Sequence, residues 1–241
     1  MLSPEVTQMR FEAEIIREEA APSDVVRELV YGGVSVHAAW PADLTTPELR
    51  VALDVRGDVD RKDAPAYVEL FFHDAFLLLN LAAPGSFGGT IATTGTGLQV
   101  RELTLSPRLF AYATDLERLP LERVMAWYAT QTLGTRQIAA DGVTTALFQL
   151  LHLARREEDE TDSILRLAAA AKALSIRTGP MPQLLELRDT IVSGRAPLIH
   201  PMHDDALDPR VEDATRAWIE VGDAAASAII RNLQERIRLA G

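Results

Sequence analysis

The chain has 241 residues, 47% of them apolar, which is enough to bury a sizeable core in one large domain or two small ones. Its formal net charge of −11 argues against a free-standing binder of duplex nucleic acid, which presents a broad basic face. The absence of cysteine excludes disulfides, thiolate catalysis and thiolate-bound metal.

The start, MLSPEVTQMRFEAE, is acidic and lacks the basic-then-apolar pattern of a signal peptide. No apolar run reaches the roughly 20 residues that span a bilayer, so a cytoplasmic protein with no membrane partner is expected. From residue 9 to about 60 the pattern is that of strands. Phe11, Ala13 and Ile15 alternate with charged residues, and Val34, Val36, Ala38 and Trp40 repeat the period, as do Val51, Leu53 and Val55. Gly32-Gly33 and the stretch from Pro41 to Pro47 supply turns. The segment from Tyr67 to Leu81 is apolar almost throughout, as in a helix buried on most of its surface, and Pro84-Gly85 stops it. The Gly- and Thr-rich GSFGGTIATTGTGLQV reads as a loop feeding a strand, LQVRELTL. It lacks the lysine of a phosphate-binding loop.

From Ser106 the pattern is helical, with Pro107 suited to a first helical turn. Leu121, Val124, Met125 and Tyr128 recur at spacings of three and four. The next segment, VTTALFQLLHLARREEDETDSILRLAAAAKALS, fits one long helix or two, with Glu157 to Asp162 as a solvated face or a break. Pro180 and Pro182 precede a further helix, LLELRDTIV, and Pro209 opens a last one with a stripe of Val211, Ala214, Trp218, Val221, Ala225 and Ile229. The fold class is therefore α+β. A small antiparallel β region with one buried helix occupies 1–105, and an α-helical bundle occupies 106–241.

The stretch richest in candidate chemistry runs from Leu184 to Asp205 and contains Arg188, Arg195, His200 and His203. An arginine holds a phosphate through its fork of donors, and a histidine near its ordinary pKa moves protons. Together they suffice for metal-free RNA cleavage, in which the 2′-hydroxyl attacks the adjacent phosphate. His200, His203, Asp204 and Asp205 alternatively form a loop, HPMHDD, able to offer nitrogen and oxygen ligands to a divalent metal, while Asp204 or Asp205 can equally cap the last helix. His73 beside Asp74 reads as a core residue, and His37 and His152 as structural or exposed.

An arginine and a histidine with four to six residues between them, near the end of a late bundle helix, resemble the motif of the HEPN superfamily. The resemblance covers Ser106 to Gly241. Two frames fit the motif. In one, Arg188-Asp189 has the polar second residue and the helix, but Ser193 stands where histidine belongs. In the other, Arg195 and His200 are both present, but Ala196 follows the arginine and Pro197 interrupts a helix. The resemblance implies a homodimer with its motif at a twofold helix interface. It also implies an RNA substrate, no cofactor, and a setting in bacterial defence or toxin–antitoxin RNA cleavage, with catalysis retained or lost. Arg188 or Arg195 would hold the scissile phosphate and His200 would act as general acid or base. Two other classes stand beside it: a non-catalytic module that binds a protein partner, with its arginines in internal ion pairs, and a metal-dependent hydrolase built on HPMHDD.

Overall fold

The computed structural model describes residues 7–17, 24–95, 101–106, 116–131, 142–154, 159–195 and 209–240. Six strands form one antiparallel sheet: β1 (Thr7–Arg17), β2 (Glu28–Tyr31), β3 (Val34–Ala39), β4 (Glu48–Gly57), β5 (Gly89–Gly95) and β6 (Arg101–Leu105), in the order β2-β3-β4-β1-β5-β6. Register is fixed by the inward residues. Phe11 lies opposite Leu53, Ala13 opposite Val51, and Ile15 between Leu49 and Ile91. All seven are buried, and a slip of one residue would turn them to water.

The buried helix, α1 (Ala64–Ala82), begins with a proline in its first turn and carries Phe71, Phe72, Phe76, Leu77, Leu78 and Leu81 with no exposure at all. Being apolar on every side, it needs cover on every side. It packs on β3, β4 and β6, and also on three later helices. These are α2 (Leu121–Thr130), α3 (Gly142–Leu153) and α6 (Pro209–Leu239); α4 (Glu160–Ala173) and α5 (Met181–Arg195) complete the set. Asn80, fully buried, donates from Nδ2 to Phe76 O and Phe87 O at 2.8 Å each, pinning the turn that leaves α1.

The Gly/Thr stretch departs from its expected loop. Gly89–Gly95 is itself a strand, paired with β1 on one side and β6 on the other. Only Ile91 of its residues past Gly89 is deeply buried, so its apolar alternation is too thin to mark a strand. Gly89 has φ +148°, and a Cβ there would meet Ile16 O at 2.1 Å, so this glycine serves close strand approach rather than an anion cradle. A short strand with little periodicity, β2, is closed onto β3 by the Gly32-Gly33 turn. The acidic run lies between two helices: α3 ends at Leu153, and Asp159 Oδ1 accepts from Asp162 N at 2.7 Å to cap α4. The stripe of α6 is buried throughout, from Val211 to Ile229. Pro107 lies outside the described residues.

Candidate functional site

Helix α5 carries the sequence-predicted arginines. Met181, Leu184, Arg188 and Ile191 recur at spacings of three and four, and α5 packs on α4 and α6. Met181, Leu184 and Ile191 are fully buried, so Arg188 occupies a position in the core-facing stripe. Its stem follows the stripe, while its Nη1 reaches Asp189 Oδ1 at 2.5 Å, with the two side chains 42% and 67% exposed. The helix continues through Arg195. Seven residues are close to two full turns, which sets the Cα atoms of Arg188 and Arg195 on one face roughly 10 Å apart.

Ser193, five residues after Arg188, lies about 140° around the helix from it. Its hydroxyl donates to Thr190 O at 2.9 Å, and it is exposed. The first motif frame therefore brings no proton-carrying group to the face of Arg188. The Arg195 side chain and His200, His203, Asp204 and Asp205 lie outside the described residues, and with them the second frame and the HPMHDD loop. Among the described residues, no group of three or more histidine, aspartate or glutamate side chains is placed to hold a metal ion. Among them too, no helix is long and apolar enough to cross a membrane.

Of the remaining histidines, His37 is exposed on β3, flanked across the strands by Asp54 and Glu28. His152 packs against Phe148 at 4.4 Å on α3. His73 is half-buried, while its neighbour Asp74 is 4% exposed and faces Tyr128 of α2. The Tyr128 hydroxyl makes no hydrogen bond of regular geometry with the described residues, and the Asp74 carboxylate acts on it through its charge. Burial raises the pKa of this phenol, and the charge and acceptor oxygens of Asp74 raise it further. A phenol held protonated between two helices is a structural element, with no cavity beside it for a substrate among the described pockets.

The widest described depression lies elsewhere, on the sheet face opposite α1. It is an open cleft of about 620 Å³ whose floor is Ala39, Ala52 and Ala92, with Pro41 at one end and Glu12, Glu14 and Arg50 among its lining residues. The register explains the shape. Ala39 lies opposite Ala52, Ala52 opposite Glu12 and Glu12 opposite Thr94, while Arg50 and Ala92 flank Glu14. Small residues on three strands leave a hollow that longer ones would fill. Trp40 turns its ring to the core side of the sheet, where Nε1 donates to Val26 O at 2.8 Å and the ring edge meets buried Phe87. The loop that carries Pro41 is tied down by Arg17, which donates to Leu44 O and to Thr46 O, the latter at 3.3 Å.

No family model, curated protein or solved structure matches this chain. The alternation of charged residues on β1 and β4 was visible in the sequence, but the cleft was not, because it depends on the register of four strands.

Proposed function

We propose that this protein is a non-catalytic interaction module. One observation carries the reading: the better-placed motif frame on α5 pairs Arg188 with its own neighbour Asp189 and turns Ser193, already bonded to Thr190 O, to another face. Metal-free RNA cleavage needs an arginine and a proton carrier converging on one phosphate, and this frame offers no such pair. The net charge of −11 further opposes binding of a polyanion. The test is incubation of the purified chain with a mixed RNA pool beside Arg188→Ala and His200→Ala variants. All three are expected to leave the RNA intact. Cleavage by the wild type that is lost in His200→Ala would overturn the reading.

A second reading, an HEPN-like endoribonuclease working as a homodimer, is favoured by the continuity of α5, which aligns Arg188 and Arg195 in the stripe that packs on neighbouring helices. In it the two arginines grip the phosphate and His200 moves the proton. The same RNA experiment decides between the two readings.

A further inference from the structure

Resting on the interaction-module reading, we propose that the outer face of the sheet docks an extended basic peptide segment of a partner protein. The segment is seated in the cleft over Ala39, Ala52 and Ala92 and read by Glu12.

Glu12 is the key residue. It is exposed at mid-strand on β1, and its cross-strand neighbours are Ala52 and Thr94. Neither side chain carries a charge, and Glu12 makes no side-chain hydrogen bond or ion pair with any described residue. Beside it, Glu14 faces Arg50 at 3.7 Å, but the two side chains are 48% and 87% exposed, so the pair is loose and easily exchanged. The cleft thus presents two carboxylates against one mobile guanidinium, over an apolar floor.

That combination suits a lysine or arginine side chain, whose aliphatic stem covers apolar surface while its head meets a carboxylate. The alanine floor supplies the surface, Pro41 an apolar edge, and Glu12 the counter-charge. A small amine is a poorer fit, because small-ligand sites enclose most of the ligand and this cleft is open along its length. Its four strands span roughly 14 Å, which matches an extended run of about four residues. A polyanion is disfavoured by the same two carboxylates. The chain's negative field draws a cationic segment in from a distance.

The experiment measures fluorescence polarisation of a fluorescein-labelled octapeptide of alternating arginine and alanine, using the full-length protein, with an alternating glutamate–alanine peptide as the control. The wild type is expected to bind the basic peptide alone. Glu12→Gln should weaken binding about fivefold, the scale of one exposed ion pair. Ala52→Gln, which leaves every charge in place and fills the floor, should weaken it about tenfold through lost shape complementarity. Glu235→Gln, on the exposed side of α6, should change it less than twofold. Circular dichroism of each variant checks that the fold is kept. Equal loss in Glu235→Gln would mean diffuse attraction and overturn the proposal, as would undiminished binding by Ala52→Gln or equal binding of the acidic peptide. RNA cleavage by the wild type removes the interaction-module reading itself. An RNA-inert protein that ignores the basic peptide removes only this site.

Discussion

Tyr128 is a residue whose environment makes a pH-dependent statement. An unfolded tyrosine ionises near pH 10. In the fold, burial and the adjacent Asp74 hold the phenol protonated to higher pH. Above about pH 10 the unfolded state therefore binds fewer protons than the native one, and stability falls by up to about 1.4 kcal/mol per pH unit from this group alone. Below pH 10 the contribution is fully present and constant. Tyr128→Phe removes the titrating group, so urea melts between pH 9 and 11 should show a shallower loss of stability than the wild type. Parallel slopes for the two proteins above pH 10 would show that Tyr128 does not control the alkaline limb. Nothing in the sequence marks this pair: Asp74 stands beside His73 within an apolar run, and a helix-to-helix contact between α1 and α2 has no local signature.

At the scale of elements, the deepest tie between the far end of α6 and the rest of the molecule is a buried amide. Gln234 is 1% exposed, and its Nε2 donates to Leu81 O at 2.9 Å and Glu117 O at 3.0 Å. It thereby closes the end of α1 and the segment before α2 at once. Gln234→Leu keeps the volume but strands both carbonyls, and an unpaired buried acceptor costs about 1–3 kcal/mol. A loss of about 2–3 kcal/mol is expected, seen as a lower urea midpoint with an unchanged denaturant slope. Arg238 remains on Glu117 at 2.6 Å in the variant, so α6 should stay helical by circular dichroism. The elements themselves were legible in the sequence wherever one periodicity ran long enough. The alternation of β1, β3 and β4, the unbroken apolar run of α1 and the stripe of α6 are cases of this. What escaped was short or compositionally disguised. β2 has four residues, and β5 is built of glycine and threonine with one deeply buried isoleucine, whereas the α3–α4 break is one of two readings the acidic run leaves open, decided by the cap at Asp159. The candidate site was legible only as residue types. That Arg188 and Ser193 diverge on α5 follows from helical geometry once the helix is known to be continuous. The alanine floor of the sheet follows from a register that no single strand contains.

The whole molecule presents a sequence that divides near Leu105 and a core that does not. The buried apolar residues of the strands, of α1 and of all five later helices form one cluster. Helix α1 is the reason: it packs on the sheet and also on α2, α3 and α6, and its three most central phenylalanines, Phe71, Phe72 and Phe76, have no exposure. If the helices of the second half came away, α1 would expose the surface they cover. At about 25 cal/mol per Å² of apolar area, a few hundred Å² would cost more than a small sheet-and-helix unit has to spare. The inverse also holds, since α2, α3 and α6 would lose the helix they share. Calorimetry should therefore show one transition, with calorimetric and van't Hoff enthalpies equal and a total of roughly 170 kcal/mol for a chain of this length. A fragment ending at Leu105 should bind a hydrophobic dye and fail to unfold cooperatively. Two resolved transitions, or a cooperative 1–105 fragment, would show instead that the sheet with α1 is a domain in its own right. The helices would then be a separable attachment, and Gln234 a link between two bodies rather than a closure within one.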